Sequence, residues 1–236
     1  MSTSGTPRPR QVELLTRGVT LPLPALEDLH LLIITGTLAR IWHDLARTIT
    51  DFSDQHERDI TAMMESQLNR SSPEDARWTT LVGSVVRGNE MLDFDGSALE
   101  NRPDLSIRLT HRNPAFPLIV ECKVIDPATE KRVWHYGHHG IARFVEGRYA
   151  WYAREAIMLA YVRDGSTIES CLLPYLEQQM QEDSNSYLTH QLPEQDARVS
   201  YDLARSIHGR SYRYPLQQPD EPGPISLWHI WLQPHT

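Results

Sequence analysis

The chain has 236 residues, 40% of them apolar, which suits one decorated domain with a real core better than two independent ones. Its 23 basic and 31 acidic residues give a formal net charge of −8, unlike the balance of a non-specific nucleic-acid binder, although an acidic enzyme can hold a nucleic acid in a local basic groove. Two cysteines, Cys122 and Cys171, are too few for a disulfide framework or a cysteine zinc site and point to a reducing cytoplasm; Met1–Arg10 lacks the apolar core of a signal peptide, and the apolar run Leu29–Ile34, which contains a histidine, is far too short to cross a bilayer.

Residues 1–20 read as a flexible arm, followed by a single domain over 21–236. From Pro24 to Ile49, Leu26, Leu29, Leu32, Ile33, Leu38, Ile41, Leu45 and Ile49 recur at helical steps, with Gly36 a weak point. Asp51–Ser53 offers a break and a cap for a second amphipathic helix from Asp54 to about Asn69, which Ser71-Ser72-Pro73 ends. These two helices form an α-helical N-terminal layer over 24–69. From Trp78 the pattern shortens into strand-like runs at Thr80–Val86, Leu105–Leu109 and Leu118–Ile125. Tyr136 to about Val145 predicts a helix, Ala156–Val162 a buried strand, and Thr167–Gln181 a helix interrupted by Pro174. Glu182–Asp196 reads as a loop, and two further runs, Asp202–His208 and the alternating Ile225–Leu232, complete a core over about 78–232. Helices first and a mixed sheet with interleaved helices afterwards define an α/β fold.

One compositional bias bears on chemistry. Of the 23 basic residues only Lys123 and Lys131 are lysines; the other 21 are arginines. A chain that carries nearly all its positive charge as guanidinium has nevertheless placed an ammonium inside an apolar strand, and a compact point charge differs from a planar fork in what it can orient. Residues two apart share a face of a strand, so Glu121 and Lys123 point one way while Val120, Cys122 and Val124 point the other. Desolvating such a pair costs several kcal/mol unless something offsets it, and a divalent cation would do so. Asp104 follows the Arg102-Pro103 turn and opens the preceding strand; the loop His111–Pro117 turns the chain back to form a hairpin. Two converging carboxylates, with the backbone carbonyl of Cys122, make a hard-oxygen site suited to Mg²⁺ or Mn²⁺. There Lys123 would orient an attacking water or stabilise developing negative charge.

Pro103-Asp104 followed after sixteen residues by Glu121-Cys122-Lys123 resembles the signature of the PD-(D/E)XK, or restriction-endonuclease-like, nuclease superfamily. The resemblance extends over roughly residues 50–232. It implies an acidic residue on a preceding helix, for which Glu57 lies on the stripe of Ile60, Thr61, Met64 and Leu68, with Glu65 the competitor one position off that stripe. Gly140–Phe144 and Met158–Val162 look like the helix and strand that follow the catalytic lysine in such proteins. The resemblance further implies a mixed sheet flanked by helices, Mg²⁺ dependence and most often a DNA substrate. Control by dimerisation or by a regulatory partner, and a place in anti-phage defence or restriction, follow by analogy. A non-catalytic nucleic-acid-binding or scaffolding subunit, and an RNA-cleaving enzyme of the same fold, are the alternatives.

Other polar residues carry weaker signals. The run Trp134-His135-Tyr136-Gly137-His138-His139 lacks a carboxylate or cysteine at metal-ligand spacing and reads better as a segment beside the groove, where His138 and His139 touch phosphate or base. Arg143, Arg148 and Arg154 could bind the backbone of a nucleic acid, with Arg143 the candidate among them, but read as ordinary solvated charges unless they share a face with Lys123. His208 and Arg210 divide between the cleft and a structural role, His229 reads as structural, and Trp228 and Trp231 as packing.

Overall fold

The computed structural model describes residues 9–48, 55–70, 75–98, 101–182, 185–215 and 220–234. The expected break at Asp51–Ser53 and the stop at Ser71-Ser72-Pro73 lie outside these residues. The protein is a mixed α/β structure. Seven strands, β1 (Val82–Arg87), β2 (Leu105–Leu109), β3 (Leu118–Ile125), β4 (Glu155–Val162), β5 (Thr189–Gln195), β6 (Asp202–His208) and β7 (Ile225–Leu232), form one sheet in the order β1-β2-β3-β4-β7-β6-β5. The central β3–β4 and β4–β7 pairs are parallel, and the outer pairs are antiparallel.

Helices cover both faces of this sheet. On one face, α2 (Asp28–Thr48), α3 (Glu57–Arg70) and α4 (Ala76–Leu81) bury Ile34, Leu38, Ile60, Met64 and Trp78 against Ile107, Val120, Cys122, Val124 and Ile230. The buried positions of α3, Ile60, Thr61, Met64 and Leu68, are the predicted stripe. On the other face, α1 (Pro9–Thr16), α5 (Val133–Tyr136), α6 (Ala142–Val145) and α7 (Leu173–Gln181) bury Val12, Tyr136, Phe144 and Leu176 against Ile119, Ile125, Met158 and Trp231. Burial on both faces explains why β3 and β4 are buried at every position and, Glu121, Lys123 and Glu155 apart, read as apolar runs.

Several local expectations change. Within the first twenty residues, Pro9–Thr16 is helical, and Val12 is buried in the second core, so this part is not a loose arm. The first strand starts two residues later than its periodicity suggests because Asp75 caps α4, its carboxylate accepting the Trp78 amide at 3.1 Å. The loop expected over Glu182–Asp196 contains β5. As an edge strand with irregular register, a proline at 193 and mostly solvent-facing positions, it presents no apolar alternation to read.

The crossing between β3 and β4 bears directly on the site. Between α5 and α6 the chain forms a π-helical turn, Gly137–Ile141, pressed onto the sheet. A Cβ at Gly137 would lie 2.6 Å from the Tyr187 hydroxyl and 2.9 Å from the Tyr175 ring, two side chains whose hydroxyls are hydrogen-bonded at 2.6 Å. At Gly36 of α2, by contrast, the nearest atom is the Tyr201 hydroxyl at 3.6 Å, ordinary contact. Urea denaturation should therefore show Gly137→Ala destabilised by about 1–3 kcal/mol through overpacking, whereas Gly36→Ala should be neutral or up to about 1 kcal/mol more stable through helix propensity.

Candidate active site

Antiparallel pairing of Leu105 with Val120 and Ser106 with Ile119 brings Asp104, the residue just before β2, beside Cys122, whose amide donates to Asp104 Oδ2 at 2.8 Å. Alternation along β3 sends Glu121 and Lys123 to the face covered by α5 and α6, in the two positions between Ile119 and Ile125 where that face is otherwise apolar. The Lys123 ammonium becomes a hub. It donates to Glu121 Oε1 at 2.7 Å, to the Cys122 carbonyl at 2.6 Å and to Glu57 Oε1 at 3.4 Å, and lies 3.6 Å from Asp104 Oδ2. Glu57 opens α3 and accepts the Val124 amide at 2.8 Å through its other oxygen, which fixes the helix start to the strand.

Geometry decides between the two helix-borne glutamates. Glu65 points away, accepting the Arg87 amide at 3.0 Å on β1 and pairing with the Arg87 guanidinium at 3.6 Å. Glu57 alone of the two reaches the Lys123 cluster.

A sixth group joins from α6. Arg143 Nη1 stands 3.7 Å from Glu121 Oε1 and also donates to the Tyr149 hydroxyl, which donates in turn to the Arg102 carbonyl at 2.9 Å. Tyr149 thus ties Arg143 to the turn that carries Asp104. Nothing in sequence spacing signals this tyrosine. Gly140 is equally silent there, yet its position lets the π turn lie against the sheet, a Cβ at this site falling 4.0 Å from Lys123 Cγ and 2.4 Å from the Met158 methyl.

Burial sets the electrostatics. Glu121 is 2% exposed, and desolvation pushes its pKa up to about 8, with Lys123 opposing the rise and Asp104 adding to it. Desolvation alone would lower the Lys123 pKa, but Glu121, Asp104 and Glu57 outweigh it and hold the ammonium charged. Glu121 Oε2 is buried without a hydrogen-bond partner.

That orphaned oxygen, the half-buried Asp104 carboxylate and the Cys122 carbonyl are all hard donors, so their chemistry fits Mg²⁺ or Mn²⁺. Among the described residues no three His, Cys, Asp or Glu side chains are gathered into a ready-made metal cluster; the cation that Glu121 Oε1, Asp104, Glu57 and the Cys122 carbonyl surround is Lys123 itself.

Of the remaining candidates, His138 is exposed and His139 half-buried, and both belong to the helical segment that also carries Arg143. Arg148 pairs with Glu146, and Arg154 is solvent-exposed at the start of β4. Two candidates prove structural. Arg210 donates to the carbonyls of Ala150, Trp151 and Ala153, stapling the turn before β4, because three inward-facing carbonyls there need a fork of donors. His208 is fully buried: its Nδ1 donates to the Tyr187 carbonyl at 2.9 Å, so its Nε2 must accept from the Ser206 hydroxyl at 2.7 Å. Ser206 then accepts from His229 Nε2 at 2.7 Å, and the single proton of the Tyr136 hydroxyl is shared between His229 Nδ1 at 2.9 Å and the Met158 carbonyl at 3.1 Å. Trp228 and Trp231 pack in the two cores on opposite faces.

Comparison with protein-family models, with curated proteins and with solved structures found no match.

The imidazole chain generates a pH prediction. Burial pushes the His208 pKa down to about 4 and that of His229 well below its usual value, so the unfolded chain binds protons that the folded one refuses. Their contribution to stability is complete above about pH 6.5 and is lost as pH falls toward 4. In thermal or urea denaturation between pH 6.5 and 5, His208→Gln should show a shallower loss of stability than wild type, by up to about 1.4 kcal/mol per pH unit. Equal slopes would mean that His208 titrates normally.

Proposed function

We propose that this chain is a Mg²⁺-dependent nuclease that hydrolyses phosphodiester bonds, with DNA as its substrate. The observation that carries this reading is the convergence of Asp104, Glu121, Lys123 and Glu57, from three separate elements, on one buried point beside Arg143. An ion-laden cluster on a fully buried strand costs stability that an apolar packing would not, and a phosphodiester with its metal is a partner that would use such a cluster.

Asp104, Glu121 and the Cys122 carbonyl would hold the metal, whose chemistry is Lewis acidity toward a phosphodiester oxygen. Lys123 orients the attacking water and stabilises the charge that develops on the phosphate. Glu57 positions Lys123, since it holds both the ammonium and the following backbone amide. Arg143, a permanent cation half open to solvent, binds the phosphate from the helix side. A reading in which the chain is a non-catalytic subunit draws on one observation, that Lys123 already neutralises the carboxylates without a metal. Cleavage of RNA rests on the same geometry and differs only in substrate.

No helix among the described residues is long and apolar enough to cross a membrane. A cytoplasmic location, a homodimer or regulatory partner that restrains the activity, and service in anti-phage defence or restriction complete the proposal by analogy with the superfamily the signature resembles.

Plasmid and single-stranded DNA, incubated with Mg²⁺ or Mn²⁺, should be cut by the wild-type chain. Lys123→Ala and Asp104→Ala should each lose about 100-fold or more in rate, and Arg143→Ala about 10-fold. A wild-type chain inert on both DNA and RNA, with no divalent-metal binding by calorimetry, would sink the catalytic reading in favour of the non-catalytic one.

A further inference from the structure

The helical segment that delivers Arg143 to the site carries a second feature at its other end. Trp134 is 53% exposed, one of four large apolar side chains left in solvent among the described residues. Its indole lies nearly parallel to the exposed His138 ring, with 12° between planes and 5.1 Å between centroids. His139 meets the indole edge-on at 5.6 Å, and His135 packs 4.5 Å from His139. These four rings pack into one continuous aromatic cluster, of which Trp134 and His138 face solvent and His135 and His139 are half-buried.

This surface is coupled to the active site by covalent structure and by field. Nine positions separate Trp134 from Arg143, on the order of 13 Å along a helix. Gly140, on the same segment, lies against the Lys123 stem. His135 is held down to about 4, first by burial, then by His139 and by Lys123, and His139 is also lowered. At neutral pH His135 and His139 are therefore uncharged ring faces, poor ligands for phosphate and good ones for a flat π system. Phosphate binding falls instead to Arg143 beside Glu121.

We infer that Trp134, backed by His138, His135 and His139, is a stacking platform for an unpaired nucleobase, and that the strand reaching Lys123 is single-stranded there. A base in a duplex has both faces covered by its neighbours, so a protruding indole finds a free π face only where the strand is open or a base is displaced. The inference rests on the nuclease reading for the identity of its ligand but makes a separate statement about binding.

Binding is therefore the readout. Fluorescence anisotropy with a labelled oligothymidylate, a duplex of equal length and an abasic single strand, all with Ca²⁺ in place of Mg²⁺, would be compared for wild type, Trp134→Ala and Trp134→Phe. Wild type should bind the oligothymidylate at least about 10-fold more tightly than either other ligand. Trp134→Ala should lose about 10-fold on the oligothymidylate alone, and Trp134→Phe should keep most of the affinity, as expected for one stacked base. Unchanged affinity in Trp134→Ala, equal losses on all three ligands, or no binding by wild type would each overturn the platform. If Trp134→Ala loses single-strand binding while no metal supports cleavage by wild type, the platform stands and the nuclease reading falls. If Lys123→Ala abolishes cleavage but Trp134→Ala binds normally, the reverse holds.

Discussion

A single desolvated ammonium organises the site. Lys123 lies on a strand covered on both faces, where an unpaired charge would cost several kcal/mol, and it is retained only because Glu121, Glu57, Asp104 and the Cys122 carbonyl converge on it. The constraint propagates outward. Asp104 stays at the strand mouth because it also accepts the Cys122 amide, and α3 begins where it does with Glu57 bound to both the ammonium and the Val124 amide. The helical segment above must come close without inserting a side chain, which places glycine at position 140.

The same face of the sheet solves a second polar problem differently. Across the parallel strands, Glu121 lies in register with Met158, and Met158 with His229. At His229 the burden is carried by neutral donors and acceptors: Tyr136, His229, Ser206, His208 and the Tyr187 carbonyl form one hydrogen-bonded row. The segment Val133–Val145 thus rests on an ionic cluster through Gly140 and on an uncharged wire through Tyr136. A π turn between these two supports adjusts its register so that both are met.

Much of this was legible in the residue order, and the reasons are local. Strands with a period of two expose the Glu121–Lys123 relation directly, and the helical stripe of Ile60, Thr61, Met64 and Leu68 already favoured Glu57 over Glu65. Lysine scarcity singled out position 123 before any geometry was known. What stayed hidden depends on distant partners. Arg143 reads as a surface charge until Tyr149 is seen to hold it against the Asp104 turn, and His208 and Arg210 resemble cleft residues until Tyr187 and the carbonyls of residues 150–153 claim them. β5 was invisible because an edge strand that faces solvent has no reason to alternate.

The uneven use of lysine has a practical side. Of the two lysine amines, Lys123 is sealed beneath the helical segment, while Lys131 is partly open to solvent at its foot, three residues before Trp134. An amine-directed reagent consequently meets one reactive side chain in a protein otherwise charged by guanidinium groups, which such reagents ignore. The chain carries a built-in conjugation point at the rim of its candidate site: a dye or tether coupled there would sit beside the exposed indole and leave the buried ammonium in its ring of carboxylates.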